Sequence, residues 1–180
     1  MSERCLAEEQ AMERMLMRLS HEIIEGSGDA KTVYLVGIKR RGVPLAARIK
    51  ANIERFSDLS VEVGALDITL YRDDLKELFP DPIVHGSDIP FDVNGKAIVL
   101  IDDVIYTGRT ARAAMDAIMR RGRPSSIRLC VAVDRGHREL PIAANFVGKN
   151  VPTSREEFIA VRVKEIDGVN EIVLHHPDKP

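Results

Sequence analysis

A chain of 180 residues with 44% hydrophobic but only 4% aromatic residues is the right size for one compact unit, residues 1–180, with an aliphatic core. Its formal net charge of −2 argues against a uniformly basic protein that coats nucleic acid, and DNA is not an expected partner. Two cysteines, Cys5 and Cys130, build no disulfide framework and match no metal-ligand spacing, so both are expected as reduced thiols, with Cys130 buried. The opening MSERCLAEEQ lacks the apolar core of a signal peptide, and no apolar run approaches the ~20 residues of a bilayer span. No membrane partner and a cytoplasmic location are expected.

In chain order, Met12, Met15, Leu16, Leu19 and Ile23 recur at helical spacing, with Arg14, Arg18, His21 and Glu25 on the opposite face. This predicts an amphipathic helix over 12–25, stopped by Gly26-Ser27-Gly28. VYLVGI (33–38) reads as a buried strand, KRRG as a basic loop, and the segment from Pro44 to Phe56 as a helix. A second strand (61–70) leads into a polar, proline-containing stretch over about 71–92, and such length inside a compact domain signals a working loop. A strand over 97–101, a helix over 109–121 ended by Gly122 and Pro124, and the strand IRLCVAVD follow. NFVG, FIAVRVKEI and NEIVLHH read as later strands, and the histidines at 175 and 176 as part of an exposed polar tail. Strands alternating with helices predict an α/β fold with a mostly parallel central sheet flanked by helices.

The stretch IVLIDDVIYTGRT (98–110) carries the chemistry. In open α/β sheets ligands sit beyond the carboxyl ends of strands, which is where Asp102 and Asp103 fall. Thr107-Gly108-Arg109-Thr110 opens the next helix, whose unpaired N–H groups and dipole favour an anion by ~0.3–1 kcal/mol from the dipole alone. Gly108 permits close approach of backbone to phosphate, and the threonine hydroxyls can donate to its oxygens. One short segment thus offers acceptors for sugar hydroxyls and donors for a phosphate, and its spacing fits a ribose 5-phosphate. A nucleotide-binding GxxxxGK[ST] loop is absent, and the order of acids does not suit a receiver domain. Lys39-Arg40-Arg41-Gly42 stands at another strand's carboxyl end, where guanidiniums can take phosphate oxygens bidentately. Arg72, in YRDD at the start of the long loop, is placed to swing onto the same anion when the loop closes.

VLIDDVIYTGRT resembles the phosphoribosyl pyrophosphate fingerprint of type I phosphoribosyltransferases. VGIKRRG, LDITLYRDDL and VDRGHRELPIAANFVGKNVPTS narrow the resemblance, over nearly the whole chain, to one bacterial family. Its members attenuate transcription of the pyrimidine biosynthetic operon and also act as uracil phosphoribosyltransferases. The resemblance implies the reaction of uracil with phosphoribosyl pyrophosphate to UMP and pyrophosphate, with Mg²⁺ carried mainly by the donor and no dedicated metal site in the protein. It implies a flexible loop over the active site, with Arg72, Asp102 and Asp103 as the catalytic set. Asp102 and Asp103 would contact the ribose hydroxyls, Val104 and Ile105 continue that segment, and Tyr106, Thr107, Gly108, Arg109 and Thr110 would wrap the 5-phosphate. Arg40 and Arg41 would face the pyrophosphate, Arg135 the nucleobase, and the backbone near Ile159 would complete the base pocket. Purine salvage enzymes of this type carry an acid where this chain has Tyr106. A tyrosine, with a reference pKa of about 10, is a poor base at neutral pH, which disfavours a purine acceptor and leaves no general base assigned.

The same resemblance implies binding of a stem-loop in the operon's leader mRNA, promoted by UMP or UTP in the active site. Arg14, Arg18 and His21 on the first helix, with Arg138 and Lys149, are the cations available for it. Ala143 stands where the family often has arginine, so a uracil phosphoribosyltransferase without RNA binding stays open beside a regulator with negligible catalysis. A homo-oligomer, dimer or tetramer, is expected from the resemblance.

Overall fold

The computed structural model describes residues 2–68 and 87–176. Five parallel strands form the central sheet: β2 (Thr32–Ile38), β3 (Ser60–Leu66), β4 (Ala97–Ile105), β5 (Ser126–Asp134) and β6 (Phe146–Asn150). Their spatial order is β3-β2-β4-β5-β6. The chain therefore runs outward from β2 to β3, then returns to β2's other side with β4. Strand order reverses between β2 and β4, the position at which open α/β sheets leave a ligand crevice beyond their carboxyl ends.

Alternation along these strands divides the interior into two cores. Val33, Leu35, Val99, Ile101, Cys130 and Ala132 face one side, and Val36, Ile38, Ile98, Leu100, Leu129 and Val131 the other. Helices α1 (Glu9–Gly26) and α2 (Gly42–Phe56) fill the first core with the apolar stripe expected of them, Met12, Met15, Leu16, Leu19 and Ile23 from α1 among it. Helix α3 (Arg109–Arg121) covers the second core through Ala111, Ala113, Ala114, Ala117 and Ile118. Fit is tightest at the start of α2. A Cβ on Gly42 would lie 2.2 Å from the Ile101 carbonyl oxygen, and one on Gly37 2.6 Å from the Gly42 oxygen. Only glycines let this loop sit directly against β4, one residue before the acid pair.

Several boundaries differ from the sequence expectation. Strand β4 runs to Ile105, so Asp102 and Asp103 lie among its last residues, Asp102 opposite Val131 on β5, whereas β3 ends at Leu66. A second sheet was not foreseen. Strands β1 (Ser2–Glu8), β7 (Phe158–Arg162) and β8 (Glu171–His176) form an antiparallel sheet in the order β1-β8-β7, with the short helix α4 (Lys164–Asp167) between β7 and β8. FIAVRVKEI is thus a strand followed by a turn of helix. Its inner face, Ile159, Val161, Ile172 and Leu174, joins the first core. The expected exposed tail is corrected at His175 and His176: both lie in β8, His175 is buried and stacked on Phe158 at 4.1 Å, and His176 Nδ1 meets Glu157 at 2.7 Å. A two-residue signal near the chain end cannot show that β1 returns to pair with it.

Both edges of the parallel sheet are engaged by the chain itself. Beside β3, Ala65 and Asp88 exchange two backbone hydrogen bonds of 2.6 and 2.8 Å. At β6, the Arg18 guanidinium from α1 donates to the carbonyls of Val147 and Gly148.

Candidate active site

Asp102 and Asp103 stand at the carboxyl end of β4, next to the crevice. The Asp103 N–H donates to Asp102 Oδ1 at 2.9 Å, and the Val104 N–H to Asp103 Oδ1 at 2.8 Å, so each carboxylate is held by the following amide. Asp102 is buried. Burial, and next the neighbouring Asp103 carboxylate, push its carboxyl well above the usual carboxylate range, because desolvation and like charge both disfavour ionisation.

Five residues after Asp103, at Gly108, the chain turns into α3. Gly108 is the N-cap with φ +92°, and a Cβ there would meet Ile142 at 3.4 Å, so glycine is needed on conformational grounds. The Thr107 carbonyl accepts from the N–H groups of Glu139 and Leu140, while Thr107 Oγ1 accepts from the Arg109 N–H at 3.3 Å. The N–H groups of Thr110 and Ala111, in the first helical turn, make no hydrogen bond among the described residues, which leaves them available to an anion. Arg109 Nε meets Glu139 at 2.8 Å on the surface. Val104 and Ile105 finish the strand, Ile105 buried in the second core.

The third component is the basic loop. Arg40 is exposed, whereas Arg41 is the N-cap residue of α2 and its guanidinium is engaged. Nε and Nη2 donate to the two carboxylate oxygens of Asp167, on α4, at 3.1 and 2.7 Å. That pair raises the Arg41 pKa further, with a smaller contribution from the Asp103 carboxylate, and holds the Asp167 carboxyl below its usual range. The structure therefore brings Arg41 toward the acid pair, as expected, but already salt-bridged to a residue that sequence did not mark. Its partner is 126 positions away, and no local pattern reports such a contact.

On the far side, Arg135 follows β5 and is buried. It donates to Thr153 Oγ1 (3.1 Å) and to the carbonyls of Ser154 (3.2 Å) and Glu157 (2.6 Å), while its guanidinium carbon sits 4.0 Å from the Tyr106 ring centre. Residues Asp134 to His137 and Asn150, Pro152 and Thr153 line a cleft of about 350 Å³ beside this stack. His137 adopts φ +62° there, and its Nε2 contacts the Thr153 carbonyl. Ile159 buries its side chain in the first core, so only its backbone can face a ligand.

Arg72 and His85 lie outside the described residues, as does the expected loop except for 87–92. The five residues expected to meet RNA do not form one free patch. Arg14 and His21 are exposed on α1, His21 packed on Phe56 with ring centres 4.9 Å apart. Arg18 also pairs with Glu22 at 2.5 Å, and Lys149 Nζ donates to the Leu6 carbonyl at 3.2 Å. Arg138 is mostly buried, paired with Asp134 and donating to the carbonyls of Ile142 and Tyr106, so it braces the 134–142 loop.

Residues 5–167 match the family described as phosphoribosyl transferase domain. The chain is 54% identical over 169 residues to the Bifunctional protein PyrR of Clostridium novyi, covering 94% of this chain and 95% of that one. To the Bifunctional protein PyrR of Chloroflexus aurantiacus it is 58% identical over 161 residues, 89% and 88% of the two chains. Among solved structures, the hypoxanthine phosphoribosyltransferase of Trypanosoma cruzi superposes with a TM-score of 0.75 over 97% of both chains at 16% identity, a likeness of fold alone.

Proposed function

Because this chain belongs to the phosphoribosyl transferase domain family and, within it, to the bifunctional PyrR proteins, we propose a site in which one crevice carries its phosphoribosyl donor, its base and its regulatory nucleotide. The protein is a uracil phosphoribosyltransferase and a regulator of the pyrimidine biosynthetic operon. The observation supporting the site most directly is the reversal of strand order between β2 and β4, with two acids at the end of β4 and a glycine-capped helix start after them.

In this reading the 5-phosphate rests on the 107–110 turn, taking N–H groups at the start of α3, and the ribose hydroxyls donate to Asp102 and Asp103. The C1′ bond to pyrophosphate breaks as uracil N1 bonds to C1′ and N1 loses its proton to solvent or to product oxygens. Positive charge grows on the sugar as the leaving group departs, and the acid pair is placed to stabilise it, Asp103 foremost because Asp102 holds its proton more tightly, with Arg41 on the anionic side. Arg135, Tyr106 and the Ile159 backbone border the base. Among the described residues no group of three or more His, Cys, Asp or Glu is arranged to hold a metal ion. Two adjacent acids at a strand end suit a Mg²⁺ carried largely by donor oxygens. Asp102 and Asp103 are the side chains that would meet it, and it would neutralise charge on pyrophosphate.

Incubation with uracil, phosphoribosyl pyrophosphate and Mg²⁺ should yield UMP, and Asp103→Asn should lower kcat/KM by about 100-fold, or ~2.7 kcal/mol. Absence of UMP from the unaltered protein would sink the enzymatic reading. For regulation, the partner is leader mRNA bound in a uridine-nucleotide-dependent way. Binding to the host's pyrimidine leader should strengthen with UMP, and affinity indifferent to sequence and nucleotide would refute it.

A further inference from the structure

Helix α2 is tied to α4 twice on one face. Arg41 forks onto Asp167, and Arg48, seven residues or about two turns along, forks onto Glu165 at 2.9 and 2.6 Å. The two ties differ in surroundings. Glu165 is half exposed and Arg48 also reaches Asn170, far along the helix from the crevice. Asp167 is largely buried, and its Oδ2 accepts a further hydrogen bond from the Val163 N–H at 2.9 Å, which fixes the carboxylate independently of Arg41. The Arg41 end is fixed as well, since Gly42 presses against Ile101 and admits no side chain.

Of the guanidinium donors, Nε and Nη2 serve Asp167, while Nη1 makes no hydrogen bond among the described residues. We infer that Asp167 is a positioning residue for the phosphoribosyl donor, gripping one edge of Arg41 so that the other edge is presented to the pyrophosphate. This rests on the reading above that Arg41 meets that group. A planar fork held along one edge loses less rotamer freedom on meeting an anion than a free side chain would. Binding energy withheld from ordering Arg41 then appears as donor affinity.

Kinetics on the whole protein test it, with Glu165→Gln as the matched control because it loosens the parallel tie away from the crevice. Asp167→Asn should raise KM for phosphoribosyl pyrophosphate about tenfold with kcat changed less than about threefold. Asp167→Glu should recover part of the loss, and Glu165→Gln should leave KM unchanged at a similar loss of urea resistance. In the double variant with Arg41→Ala, Asp167→Asn should add nothing to the KM of Arg41→Ala alone. If Arg41→Ala raises KM and Asp167→Asn does not, the positioning role is overturned while the site assignment stands. If Arg41→Ala itself leaves KM unchanged, both fall. Should Asp167→Asn prove too unstable to assay, calorimetric donor binding by Asp167→Glu decides: affinity weaker than that of the unaltered protein, at most as weak as that of Arg41→Ala, supports the grip, and affinity equal to that of the unaltered protein overturns it.

Discussion

Arg135 and Tyr106 lie face to face across the carboxyl edge of the sheet, the guanidinium carbon 4.0 Å from the ring centre. Three other oxygens, from Thr153, Ser154 and Glu157, hold the same guanidinium. Arg135→Ala should therefore cost about 2–4 kcal/mol in urea unfolding, since it removes three hydrogen bonds made by a buried guanidinium as well as the stack. Tyr106→Phe keeps the ring and should unfold within about 0.5 kcal/mol of the parent. A larger loss there would mean that the phenolic oxygen has a structural role.

Asp102 gives a prediction in pH. Burial first, and Asp103 second, raise its folded pKa above the unfolded value, so the folded state binds its proton more tightly than the unfolded chain does. Its stabilising contribution is then fully present below the unfolded pKa, near 3.9, and is lost as pH rises toward and through the raised folded value. Asp102→Asn carries no such term. Its Tm advantage over the parent should grow between pH 4 and pH 8, while UMP formation falls by about tenfold or more. An advantage independent of pH would remove the burial argument.

The cations expected to meet RNA separate into two groups by what they touch. Arg14 is exposed, and Arg14→Ala should change stability by less than about 0.5 kcal/mol while lowering the salt dependence of leader binding by about one unit in log–log slope. Arg138 is held by Asp134 and three carbonyls, so Arg138→Ala should cost roughly 3–5 kcal/mol in urea unfolding. Loss of RNA binding in that variant is interpretable only beside its stability. Equal stability of both variants would show that the Arg138 pair contributes little.

The two thiols should react at very different rates. Cys130 is buried and its pKa is pushed up to about 12, chiefly by burial, whereas Cys5 is exposed on β1. With a chromogenic disulfide at pH 8, the native protein should release one equivalent quickly and the second only on unfolding.

How much of this was legible beforehand depended on the range of the contacts involved. Helix α3 starts and stops where Arg109 and Arg121 were placed, because Gly108, the alanine stripe and Gly122 are local signals. The apolar periodicity of α1 and the β-branched run of β2 likewise carried their own evidence. The antiparallel sheet did not, since it joins Glu3 to His175 across almost the whole chain, and neither end is distinctive alone. In the site, Asp102, Asp103 and Gly108 declared themselves through adjacency. Asp167 and the oxygens around Arg135 did not, because their meaning lies in partners brought near only by folding.

The edges of the central sheet bear on assembly. With Arg18 occupying carbonyls of β6 and Asp88 bridged beside β3, an approaching strand from another molecule finds backbone groups already claimed at both margins. A self-association of this protein, measured by sedimentation, should therefore persist when the parallel sheet is left undisturbed and respond to substitutions on helical or loop surfaces. Arg18→Ala is the exception: by baring the β6 margin it should favour slow, concentration-dependent precipitation over a defined oligomer.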